Sequence, residues 1–146
     1  MSRRTSIVKA LAAKLNEQLD GVKYTTNIFN NVYPKLKFWD EVQDFPSIYI
    51  TAGIGARDYQ LAGFIWGLLN ISIKMYVNSE EDAQMQLEQL LEDVSACIDA
   101  NRQLIYDDTY GYATTEILIT TTTTDEGLLR PYGVGELNLQ VRYALQ

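Results

Sequence analysis

The groups in this chain that can do chemistry are carboxylates, lysines, tyrosines and one thiol, because the 146 residues include no histidine. That absence removes the commonest general base near neutral pH and the commonest metal ligand, and with them Ser-His-Asp, Cys-His and His-zinc schemes. Paired carboxylates for acid–base work would come from Asp107 and Asp108, or from Asp125 and Glu126. Both pairs sit in turn-like surroundings, where exposed acids are the simpler reading. Glu80, Glu81 and Asp82 are consecutive, so on a helix they point in different directions, and they lack the spacing of a calcium loop. Helix capping is the reading that fits them. Gly53-Ile54-Gly55-Ala56-Arg57-Asp58 begins like a dinucleotide-binding turn, but Asp58 stands where the third glycine belongs and would repel pyrophosphate. Cys97 has no partner for an internal disulfide and falls in a helical pattern, which fits a half-buried or buried thiol in a reducing compartment. The sequence therefore predicts no catalytic residue, no metal site and no cofactor.

The elements around these residues are easier to read. Ile7, Val8, Leu11, Leu15 and Leu19 recur at spacings of three and four, with Gly21 where a stop belongs, and predict a first helix over 4–20. A short strand is expected near 23–28, where Tyr24, Thr25, Thr26 and Ile28 suit β structure. Pro46 opens a strand at 46–51, and Gly53, Gly55 and Gly63 mark 52–64 as a flexible connection. Leu69, Ile71, Ile73, Met75 and Val77 then alternate with polar neighbours, the clearest strand pattern in the chain, over 66–77. A second helix is expected over 79–101, capped at Asn78 or Ser79 and buried through Ala83, Leu87, Leu90, Leu91, Val94 and Ile98. A tyrosine-rich loop follows, and two further strands end the chain, one running from Thr115 through the Thr120–Thr124 run and one around 136–143. The fold class predicted is α+β: a single 1–146 domain built as a two-layer sandwich, with a mainly antiparallel sheet of about four to five strands and two helices packed on one face.

Composition narrows the function. The net charge of −7 argues against binding nucleic acid through its phosphates. The longest apolar-leaning run, 61–77, is broken by Asn70, Ser72 and Lys74 and is too short and polar to span a bilayer, and the N-terminus has no secretory signal pattern. What stands out is surface charge of one sign on each helix. Arg3, Arg4 and Lys9 lie near the start of the first helix and Glu17 and Asp20 near its end, opposed to its dipole. The second helix carries Glu80, Glu81, Asp82, Glu88, Glu92, Asp93 and Asp99 with no basic residue before Arg102, and Glu88 and Glu92 repel each other at a spacing of four. A solvated face is the plain reading of such charges. The alternative pairs this acidic face with Arg3, Arg4, Lys9 and Lys14, within a subunit or across a ring interface, and singles out Arg4, Lys9, Lys14, Glu88 and Glu92. Together with Arg57, Asp58 and Tyr59 of the glycine-flanked segment, these are the candidate interface residues.

The helix near the N-terminus, the strand Phe45-Pro46-Ser47-Ile48-Tyr49-Ile50 and the strand Asn70-Ile71-Ser72-Ile73-Lys74-Met75-Tyr76-Val77 form the first part of a longer order of elements. The helix with Glu81-Asp82 and Leu87-Glu88-Gln89-Leu90-Leu91-Glu92-Asp93-Val94 and the closing Gly135-Glu136-Leu137-Asn138-Leu139 strand complete it. This order resembles the tail terminator, or tail completion, proteins of long-tailed bacteriophages. The resemblance covers nearly the whole chain. It implies a structural virion protein at the head-proximal end of the tail, assembled in the host cytoplasm as a hexameric ring. Such a ring caps the tail tube, ends its polymerisation and joins the tail to the head connector. The partners implied are further copies of the chain, the tail tube protein and a connector or neck protein, with DNA passing through without sequence-specific binding. Two alternatives remain at this point: a head-closure or neck adaptor of the same virion, and a small carboxylate-based enzyme or binding module.

Overall fold

A computed structural model describes residues 2–145. Helix α1 (Arg3–Gln18) starts where the Ser2 hydroxyl accepts the Thr5 N–H at 3.1 Å, and it buries Ile7, Val8, Leu11, Ala12 and Leu15. Helix α2 (Ala83–Ala100) buries the whole stripe read from the sequence, together with Asp93 and Cys97. It begins four residues later than expected. Ser79 Oγ accepts the Asp82 N–H at 3.1 Å and closes a separate turn, so Glu80, Glu81 and Asp82 precede the helix.

The sheet has six strands, in the order β1-β2-β3-β6-β5-β4. These are β1 (Val32–Tyr33), β2 (Ser47–Tyr59), β3 (Ile65–Asn78), β4 (Ile105–Asp107), β5 (Tyr112–Thr124) and β6 (Tyr132–Ala144). β1 pairs with β2 in parallel and the other pairs are antiparallel. The sheet is thus mixed and larger than the antiparallel one of four to five strands expected. The extra strands are β1 and β4, pieces of two and three residues too short to show any periodicity. Both helices pack on one face of the sheet, as predicted. Their apolar stripes meet Ile48, Ile50, Leu69, Ile71, Ile73, Met75, Leu137, Leu139 and Val141 in a single core.

Two expected loops and strands change places. The segment 23–28 is a bent connection with a lone bridge between Asp20 and Asn27, because the Asp20 carboxylate takes the N–H groups of Val22 and Lys23 and folds the chain back on itself. The glycine-flanked 52–64 is ordered as a hairpin instead. β2 continues to Tyr59 in register with β3, Gly55 opposite Leu69 and Tyr59 opposite Ile65, with one bulge between Ala52 and Gly55. The turn closes through Gln60 N–H to the Phe64 carbonyl at 2.8 Å, with Ala62 and Gly63 at φ of 65° and 80°. From Gly53 to Gly63 every residue is exposed. β2 thus runs on past its β1 partner as an exposed outer edge, an arm of the sheet, while the part of β3 beside it stays paired with β6 as far as Trp66 and Ala144.

The other face of the sheet is covered at one end only. The chain around Val42 and Phe45 packs on Tyr49, Tyr76 and Val134, and the Tyr76 hydroxyl donates to the Lys37 carbonyl at 2.6 Å. Burial pushes that phenol up to about 12.

Candidate assembly interface

The arm places Arg57, Asp58 and Tyr59 together at the outer end of β2, all exposed, with Arg57 opposite Gly67 and Asp58 opposite Trp66. Along it Ile54 near the base and Tyr59 and Leu61 at the turn are 76%, 68% and 94% exposed. Ile54 and Leu61 escape notice in the sequence, where apolar residues in a glycine-rich stretch look like incidental loop content. Two arginines of α1 hold the arm's base. The Arg4 guanidinium donates to the Gly53 carbonyl, and Arg3 donates to the Ala144 carbonyl at 2.6 Å while lying 4.3 Å from the Tyr112 ring centroid. Trp66 is gripped between Phe64, at a ring-centroid distance of 4.8 Å, and Arg142 at 5.5 Å. The basic start of α1 thus has a local use, as a clamp on the hairpin and on the end of β6.

The remaining candidates lie apart from it. Lys9 is exposed, and Lys14 is half-buried with its ammonium 3.8 Å from Glu17. Glu88 and Glu92 are exposed along an open groove on α2, about 500 Å³ in volume, that also holds Met85. Among the described residues the ion pairs are Lys14–Glu17, Lys74–Glu136 and Arg102–Glu116, and none joins the two helices. Asp93 is the acid of α2 that is spoken for within the fold: it accepts the Thr26 N–H at 2.8 Å and the Gln89 amide at 3.0 Å, tying α2 to the 20–27 connection. Asp107 accepts the Thr109 N–H at 3.0 Å, and Asp125 accepts the N–H groups of Leu129 and Val134 at 3.0 and 3.2 Å. Both acids thus serve as turn-formers. The Cys97 thiol is buried beside Gln18 and Asn101, and burial pushes its pKa up, away from the reactive thiolate.

The uncovered part of the sheet carries a polar ladder. Lys74 and Glu136 pair across β3 and β6, Ser72 donates to Asn138 at 3.1 Å, and Asn138 donates to Glu136 at 3.2 Å and to Thr121 at 2.9 Å. The Lys74 hydrogen bond holds the Glu136 carboxyl below its usual 4.5, against a smaller opposing effect of burial. A depressed folded pKa means that the contribution is present above 4.5 and lost as pH falls through the folded value. Glu136→Gln is accordingly expected to shrink the loss of stability between neutral pH and the acid limb. Urea unfolding at both pH values measures this, and an unchanged difference would rule Glu136 out as its source. The effect is small, since both side chains are partly solvated.

These features define an α+β domain of two helices on a six-stranded sheet, with a solvent-exposed arm and one open polar sheet face. The same fold occurs in a chain of the virion of a native gene transfer agent particle, at a TM-score of 0.59 and 11% identity over 94% of both chains. The chain belongs to the bacteriophage tail tube terminator proteins, whose family model matches residues 1–146. It is 34% identical over 152 aligned residues to the tail tube terminator protein p142 of Escherichia phage T5, covering 98% of this chain and 94% of that one. It is therefore a structural protein of the phage virion, in the tail. Among the described residues no helix is long and apolar enough to cross a membrane.

Proposed function

We propose that copies of this chain close into a hexameric ring that caps the tail tube, ends its polymerisation and joins the tail to the head connector. The observation that carries this reading is the arm. A monomer that leaves Ile54, Tyr59 and Leu61 in water on an ordered hairpin has built a contact that its own fold does not use. In a terminator that contact goes to a neighbouring subunit or to the tube. The two helices supply the complementary charge: Lys9 and Lys14 of one copy face Glu88 and Glu92 of the next, which also offsets the unfavourable orientation of charge along α1. A chain of net charge −7 gives passing DNA little to adhere to, so the genome crosses the ring without sequence-specific binding. The protein works by assembly, with no catalytic group and no cofactor in the scheme.

Light scattering after size exclusion tests the reading. The wild type is expected to gain a hexamer mass as concentration rises. Lys9→Glu with Lys14→Glu is expected to shift it to monomer, and adding Glu88→Lys with Glu92→Lys to restore the ring. If the double reversal leaves the oligomer unchanged, the helix pairing is wrong.

A further inference from the structure

The sheet ends on both flanks in strands that are capped for only part of their length. On one flank β1 pairs with Ile48 and Tyr49 of β2, and beyond them Arg4 takes the Gly53 carbonyl and the outer edge of β2 then runs exposed to Tyr59. On the other, β4 pairs with Tyr112 and Ala113 of β5, leaving the outer edge of β5 free from Thr115 to Thr124. Thr120, Thr121, Thr122 and Thr123 are all exposed, and Thr121 to Thr124 pair regularly with β6 on the inner side. A free edge presents unpaired N–H and C=O groups, which proteins usually blunt with proline or lysine. Residues 115–124 contain neither, and Glu116 is their one charged side chain, already paired with Arg102 at 2.5 Å. Bulges do bend β5 near Thr115 and Thr120, but the run from Thr121 onward is straight in register. Five consecutive threonines at an edge carry strong β propensity with no apolar face to bury. Within the monomer the hydroxyls of Thr120, Thr121 and Thr124 bond Asn138 and the Glu126 N–H, whereas Thr122 and Thr123 are exposed with no side-chain partner among the described residues.

We propose that the arm edge of β2, around residues 53–59, pairs as an antiparallel strand with the threonine edge of β5, around residues 120–124, in a second copy of this chain. The strand order favours that occupant. β2, β3, β6 and β5 alternate in direction, so a neighbour's β2 laid against β5 continues the alternation unbroken. The two edges lie on opposite flanks, so the contact is head-to-tail, and repetition by rotation closes a ring in which neither edge remains free. The arm projects beyond the capped part of β2, and the free part of β5 lies away from its own cap, so the pairing is staggered along the strands, as closing a sheet on itself requires. The proposal rests on the ring reading above and specifies its backbone contact.

Adjacent residues of a strand send their N–H groups to opposite sides, so of Thr122→Pro and Thr123→Pro one removes a bond to β6 and the other removes only the outward donor. The outward variant is recognised by its unchanged thermal unfolding. It is expected to sediment as a monomer at concentrations where the wild type is assembled. In assembled wild type, amide exchange over 53–59 and 120–124 is expected to slow on the order of tenfold or more relative to dilute protein. Rings that persist in the outward variant, or assembly without protection of both segments, overturn the pairing and leave the ring standing. A wild type that is monomeric at every concentration removes the ring and the pairing together.

Discussion

Leu87→Ala is expected to be among the most destabilising single changes in the protein. Leu87 is fully buried where α2 crosses β6, and the strand approaches so closely there that both facing positions are glycines. A Cβ at Gly135 would lie 3.0 Å from Leu87 Cδ1, and one at Gly133 would lie 2.7 Å from Val77 Cγ2 and 3.1 Å from the Ala83 carbonyl oxygen. With no side chains on that stretch of β6 to move into the gap, truncation leaves a cavity that cannot collapse. The cost belongs in the upper part of the range of about 2–5 kcal/mol. For a domain of this length that is a fall in Tm of roughly 5–15 °C, read by calorimetry or urea titration. The glycines give the complementary result. Gly133→Ala presses first on the stiff, β-branched Val77 side chain and then on the Ala83 carbonyl of α2, neither with a flexible end to swing aside, and should cost about 1–3 kcal/mol by overpacking. Gly135→Ala presses mainly on Leu87 itself. Combined with Leu87→Ala, its methyl enters the space that the leucine vacated, so the double variant should be more stable than the sum of the two singles predicts. Additive losses would show that the close approach of α2 to β6 does not set the energetics there.

The helices and the long inner strands were legible because each is half-buried, and half-burial writes a period into the sequence. The alternation that marks Leu69 to Val77 is absent, by contrast, wherever both faces of a strand meet water: residues 53–59 of β2 have no buried side for a pattern to mark, so their glycines suggested a loop. β1 and β4 were invisible for their brevity, and the 20–27 connection was misread because propensity favoured a strand while the Asp20 and Asp93 carboxylates took up its N–H groups. Of the interface candidates, Arg57, Asp58 and Tyr59 do share one exposed structure, but its form as an ordered arm could not be inferred from residues without periodicity. Arg4 acquired a role through the Gly53 carbonyl, a backbone group that no side-chain pattern reveals. The acids of α2 were correctly seen as one-signed, yet Asp93 differs from its neighbours only by pointing inward, toward Thr26.

Replacing Ile54, Tyr59 and Leu61 together by serine is expected to leave the domain folded and remove its ability to assemble. The three side chains are mostly in water in the monomer, so their loss should change stability by no more than about 0.5 kcal/mol each. Far-UV spectra and thermal unfolding should match the wild type. In the ring proposed above these side chains serve as apolar anchors, and truncating a buried anchor commonly costs more than about 1 kcal/mol, with tyrosine over-represented among the costly positions. Three such losses weaken association on the order of a hundredfold or more. Arg57→Ala and Asp58→Ala sit on the same arm and provide the contrast, since solvated charges contribute about 0–1 kcal/mol and should alter salt dependence more than affinity. Sedimentation of the purified variants reads the ring, and recovery of the protein in purified virions reads its incorporation. A triple variant that assembles and is incorporated like wild type would show that the arm's apolar side chains are not a contact. A variant that forms rings but is left out of virions would assign those side chains to the tube or the connector instead of the neighbouring subunit. The arm is the right place for such a separation of fold from function, because residues 53–59 are exposed on both faces while the β3 residues beside them carry the packing.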